Sequence, residues 1–168
     1  MKRKYIIIIF IGILMLGIGA GAYLIFRPGP PDILDLTKQQ VGFTLFAPDR
    51  ASKTWKLDKN TIDYNKNTSV LVFTLNNAGN TNKIVMSQQA TPDPFTDIPN
   101  YPTLFFSKLN QYQELHVSLG TIALTHPTEL KGGQSAVGNI RGTLMFLHPS
   151  TDLTDDEWKD VLNELRAL

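Results

Sequence analysis

Ser135-Ala-Val-Gly-Asn-Ile140 and Thr143-Leu-Met-Phe-Leu-His148, separated by Arg141-Gly142, form the stretch that decides the fold class. Two apolar-rich runs flank a two-residue turn, and the pattern reads as a β-hairpin. It has a counterpart upstream. Val70-Leu-Val-Phe-Thr-Leu75 is apolar on both faces and rich in branched and aromatic residues, as a central strand is. Asn76-Asn-Ala-Gly-Asn-Thr-Asn82 is a turn by composition, and Ile84-Val-Met-Ser-Gln88 returns as the second arm. Thr121-Ile-Ala-Leu-Thr125 is a further strand, Glu114-Leu-His-Val117 a shorter one, and Lys131-Gly132-Gly133 a turn. Short meanders with helices set apart, and no βαβ alternation, predict the α+β class with an antiparallel sheet.

Working outward, Val41-Gly-Phe-Thr-Leu-Phe-Ala47 places Val41, Phe43, Leu45 and Ala47 on one face and predicts a strand ended by Pro48. Residues 49–67 are polar and turn-rich, with Trp55, Leu57 and Ile62 as anchors. Residues 91–102 hold four prolines and read as a loop. Tyr101, Leu104, Phe105, Leu109 and Tyr112 recur at helical spacing and predict a short helix, with Asn100 as cap. The C-terminal element is the clearest. Thr154 and Glu157 fit the S/T-x-x-E capping box, Asp155 and Asp156 suit the positive end of the helix dipole, and Trp158, Val161, Leu162, Leu165 and Leu168 make one apolar stripe. That helix is expected to pack on one face of the sheet.

Residues 5–26, YIIIIFIGILMLGIGAGAYLIF, carry no charge, Asn or Gln. As a helix they span about 33 Å at ~1.5 Å per residue, matching a bilayer core of about 30 Å. Lys2, Arg3 and Lys4 precede the run and only Arg27 follows closely, so the N-terminus is expected in the cytoplasm and the rest of the chain outside. Ala20-Gly21-Ala22 offers a signal-peptidase-like site, but the run continues through Phe26 and exceeds the ~7–15 residues of a signal h-region. A retained anchor is therefore favoured over cleavage after Ala22. The expected organisation is a basic tip and transmembrane helix at 1–27, a Pro-rich linker at 28–40 and an extracytoplasmic α+β domain at 41–168.

The 168 residues allow one ordinary domain beyond the anchor. From residue 28 onward there are 12 Lys and Arg against 15 Asp and Glu, a net charge of −3 with no basic stripe, which argues against a nucleic-acid partner. Absence of cysteine excludes a disulfide framework, a zinc ribbon, a thiol nucleophile and a lipobox.

No chemical motif stands out. His116, His126 and His148 lack metal-ligand spacing, though His148 shares a face with Leu144 and Phe146 if its strand is regular. Gly133-Gln-Ser135-Ala-Val-Gly138 has one residue too many for a nucleophile elbow and is followed by a strand, so it reads as a turn. Asp152, Asp155, Asp156, Glu157 and Asp160 fit capping and a solvated face better than a Ca²⁺ loop. Trp55, Tyr64, Tyr101 and Tyr112 are the candidates for a ligand groove, against the plainer role of filling a core. No catalytic residue, metal or cofactor is expected.

Phe43-x-Leu45-x-x-Pro48 followed by Trp55, then Ile84-Val-Met-Ser-Gln-Gln89, the strand Gly142-Thr-Leu-Met-Phe-Leu147 and a helix opening Leu153-Thr-x-x-Glu157, resemble small bacterial extracytoplasmic domains of unknown function. A first strand ending in Pro with a Trp soon after is also similar to the PsbP-like α-β-α sandwich. The resemblance covers residues 41–168 and implies an accessory or interaction module of the cell envelope, with no catalytic residues to carry over. The expected function is a non-enzymatic, membrane-tethered domain binding a protein or envelope component. A small-ligand sensor is the alternative, and an envelope hydrolase the third reading.

Overall fold

Eight residues of Val70–Asn77 (β3) and eight of Lys83–Ala90 (β4) form the hairpin expected from their composition. The computed structural model describes residues 41–93, 112–125 and 133–168, with Asp35 and Gln39. The expected transmembrane run at 5–26, and Tyr101 with most of its predicted helix, lie outside the described residues.

Two meanders build the main sheet. Trp55–Asn65 (β2), β3 and β4 form one; Tyr112–Val117 (β5), Gly120–Thr125 (β6), Ser135–Ile140 (β7) and Thr143–Pro149 (β8) form the other. Pairing of β4 with β8 joins them into seven strands in the order β2-β3-β4-β8-β7-β6-β5, antiparallel throughout. The β7–β8 turn is the predicted Arg141-Gly142, with φ 51° and 76°. Two successive left-handed residues give the tight reversal whose twist matches the flanking strands.

Period-2 alternation assigns the two faces. Leu71, Phe73, Leu75, Ile84, Met86 and Leu147 lie fully buried on the inner face. Against it packs Asp155–Glu164 (α1), which buries Trp158, Val161 and Leu162. The capping box forms as expected: Glu157 N donates to Thr154 Oγ1, and Thr154 N donates to Glu157 Oε2 at 2.8 Å. A mostly antiparallel sheet packed by a C-terminal helix is thus the observed architecture.

The inner face is concave. Asn163 Oδ1 accepts from Ser118 N and Oγ, both at 3.2 Å, beyond β5 at one sheet edge. The adjacent Glu164 accepts from Trp55 N at 3.1 Å and Ser52 Oγ at 2.6 Å, at the start of β2 on the other edge. Two consecutive residues can hold opposite edges only if the sheet coils around the helix, as strand twist favours.

Four expectations need correction. The first strand is shorter than residues 41–47: only Phe46–Pro48 (β1) is extended and paired. Gly42, at φ +80°, breaks the run, and the partner of β1 is Leu165–Ala167 (β9) rather than the main sheet. Residues 49–67 are not a turn-rich connection, because 11 of them form β2. Between the Asp58–Thr74 and Asp63–Val72 pairs β2 runs five residues to β3's two. This bulge changes the parity, so Leu57 and Ile62, an odd number apart, both turn inward. Tyr112 belongs to β5 rather than to a helix. Finally, the C-terminal stripe leaves the helix at Leu165, where ψ is 138°, and Leu168 is 44% exposed.

Candidate functional site

The outer face of the sheet holds the candidate site. Its register aligns Asp58, Thr74 and Val85 across β2, β3 and β4, and Val85 lies opposite His148 on β8. One step along from the Ala136–Leu147 pair, Ser135 faces His148, and Ser135 pairs in turn with Thr125 of β6 and Thr125 with Tyr112 of β5. Every strand of the sheet contributes one residue to this row.

Part of this face is sealed. Ala123, Val137, Leu144 and Thr125 are buried. Around β4 and β8 it is open: Val85 is 46% and Phe146 42% exposed. Ser87 pairs with Phe146 and Val85 with His148, so the two apolar side chains are diagonal neighbours on adjacent strands. As predicted, Leu144, Phe146 and His148 share this face. Phe146 and Val85 together make an apolar patch with a polar border.

Beside the patch lies an open cleft of about 380 Å³, lined by Asp58, Thr61, Thr74, Lys83, Val85, His148 and residues 149–152 with Gly133. Its walls are fixed by short hydrogen bonds. Thr61 Oγ1 accepts from Thr74 N at 2.8 Å and donates to Asp58 O at 2.8 Å, replacing strand bonds lost in the bulge. Asp58 Oδ2 accepts from Asn76 Nδ2 at 3.2 Å, leaving the buried Asn76 Oδ1 without a hydrogen-bond partner among the described residues. Ser150 closes the far wall, its Oγ accepting from Lys83 N at 3.0 Å.

Ser135 Oγ and His148 Nδ1 approach to 3.1 Å. A serine beside an imidazole is the core of a nucleophilic pair, whose chemistry also needs a group that orients the ring and donors for an oxyanion. Among the described residues no carboxylate accepts a hydrogen bond from His148. The nearby Asp152 instead accepts from Gln134 N at 3.3 Å. His116 makes a similar cross-strand contact, Nδ1 to Thr121 Oγ1 at 3.2 Å. Both contacts follow from cross-strand register.

The sequence-derived groove residues belong to different parts of the sheet. Trp55 is 1% exposed and fills the core. Tyr64, half buried, packs against the same core on edge strand β2. Tyr112 opens β5, the opposite edge strand, and Tyr101 is outside the described residues. Trp55 and Tyr64 thus belong to one edge strand and Tyr112 to the other. The Val85–Phe146 patch was missed because each residue, read alone, is an ordinary strand apolar residue. Its signal lay in the hairpin: counting outward from Arg141-Gly142 fixes which side of β8 each residue occupies.

Among the described residues, no group of three His, Asp or Glu is placed to hold a metal ion, and no helix is long and apolar enough to cross a membrane. Comparison with protein-family models, with curated proteins and with solved structures finds no match.

Proposed function

We propose that this chain is a single-pass membrane-tethered module of the cell envelope, held outside the cytoplasm, that docks a protein partner through the outer face of its sheet and catalyses no reaction. One observation carries the docking reading. The inner face is filled by α1 and the two tryptophans, yet Val85 and Phe146 stay exposed side by side on the outer face. Adjacent apolar side chains with a polar border mark association surfaces more often than isolated ones do. The tether rests on residues 5–26, the preceding Lys2, Arg3 and Lys4, and the bilayer-matched length of the run. The PsbP-like resemblance, with its sheet flanked by helices, fits the same reading. Such a domain needs no cofactor and no nucleic acid.

A photo-crosslinking residue placed at Phe146 in the full chain, expressed in its own cells, tests the docking face. The expected result is one discrete adduct that disappears when Val85→Asp is added, with none from the same probe at Asn80. Equal labelling at both positions refutes the docking face. A reporter fused after Leu168 tests the topology, and activity of that reporter in the cytoplasm refutes it.

A second reading is supported by the cleft. Asp58, Thr74, Lys83 and His148 offer donors and acceptors around about 380 Å³, enough for a small polar ligand. Saturable binding of a small molecule that protects Lys83 from acylation would favour this sensor reading over docking.

A further inference from the structure

The chain enters the described domain at Val41, against the β7–β8 turn. Thr44 joins the two: its Oγ1 donates to Arg141 O at 3.4 Å, and its carbonyl accepts from Thr143 Oγ1 at 2.6 Å. Leu45 O accepts from Leu168 N at 3.0 Å, and Gly142 O from Thr91 N at 2.9 Å. Residues 41–45, Arg141, Gly142 and Leu168 therefore form one end of the molecule, around an open cleft of about 480 Å³. Arg141 is an exposed cation at its tip, Leu168 is 44% exposed, and Val41 and Phe43 are half buried. A cation set among partly exposed apolar side chains suits the headgroup layer of a bilayer, where the charge meets phosphate and the apolar parts enter the interface.

The length of the linker points to the same partner. Residues 28–40 are all that separate Arg27 from this end. Even drawn out as polyproline II, at ~3.1 Å per residue, they reach about 40 Å. So short a link keeps this end near the lipid at high effective concentration. The opposite end is remote, because the 7 residues of β8 carry the chain away from Arg141, a distance of about 20 Å at ~3.3 Å per residue. Beyond it stand Asp152, Asp155 and Asp156, all exposed.

We propose that the end formed by residues 41–45, Arg141 and Leu168 rests on the lipid surface, with Arg141 against the phosphates of anionic headgroups and Leu168 and Phe43 at the interface. This orientation rests on the tether reading above. It directs β8 away from the bilayer and turns the outer face sideways, along the membrane plane.

The chain has no cysteine, so single labels are simple to place. Leu168→Cys and Thr81→Cys, in the full chain reconstituted into vesicles containing phosphatidylglycerol, each carry a fluorophore quenched by headgroup-nitroxide lipid. Thr81 lies in the β3–β4 turn at the remote end. The expected result is at least twofold stronger quenching at position 168 than at 81. Arg141→Asn, which removes the charge and suits the left-handed backbone there, is expected to reduce that difference. Equal quenching at both positions, with the chain retained in the vesicles after carbonate washing, overturns the proposal and leaves the tether standing. Release of the chain by carbonate overturns both.

Discussion

Gln88 is a polar side chain in the middle of the core, 0% exposed. Its amide does the work of a strand. Oε1 accepts from Phe46 N at 2.8 Å, and Nε2 donates to Phe46 O at 2.7 Å. Among the described residues Phe46 has a strand partner only on the β9 side, so this amide satisfies the other side. Gln88→Leu keeps the volume but leaves two buried backbone groups unpaired, at a cost of about 2–4 kcal/mol. Urea denaturation monitored by tryptophan fluorescence should show that loss. Gly138 is required for a different reason. A Cβ there would sit 2.4 Å from Ile122 Cδ1 on the neighbouring strand. Ile122 is itself wholly buried, so Gly138→Ala is expected to destabilise by about 1–3 kcal/mol through overpacking, read as a lower denaturation midpoint. Neither role was legible beforehand. Gln88 looks like any polar strand residue, and Gly138 like part of a glycine-rich turn, because both constraints come from partners distant in sequence.

At the scale of elements, the legible parts were those with local causes. The capping box, the Arg141-Gly142 hairpin and the β3–β4 hairpin all depend on residues a few positions apart, and all formed. Thr154→Ala should therefore cost about 1 kcal/mol, measured by the same denaturation, while Thr154→Ser should cost much less. The β2 strand was hidden because its signal is a parity. Leu57 and Ile62 face the same way only because the bulge between Asp58 and Asp63 inserts an odd number of residues. Without the partner strand, that spacing looks like no periodicity at all. The ligand groove of Trp55, Tyr64, Tyr101 and Tyr112 was drawn from residue type, which says nothing about which strands lie at opposite edges. The outer-face patch needed only the hairpin register and a choice of buried face, and Leu144, Phe146 and His148 were correctly placed together by that route.

At the scale of the molecule, two consecutive residues of α1 hold the coiled sheet. Glu164 accepts bonds from Trp55 N and Ser52 Oγ, and Asn163 from Ser118. Glu164→Ala leaves the buried Ser52 and Trp55 groups under-satisfied, and about 1–3 kcal/mol of stability should be lost, with Asn163→Ala costing less because its site is exposed. Opposite behaviour is expected on the outer face. Val85→Ser and Phe146→Ser change exposed positions and should leave stability within about 0.5 kcal/mol of the parent, while Val85→Ser abolishes the crosslink from the probe at position 146. The pairing of β1 with β9, Phe46 to Ala167, has a consequence in time. Phe46 lies early in the chain and its partner Ala167 far downstream, so Phe46 is synthesised long before the strand it joins. Until then β1 has no strand to join, and Trp55 and Ser52 lack their carboxylate. Closure of the β1–β9 pair therefore waits on residues made much later, and the early strand stays pliable until they emerge.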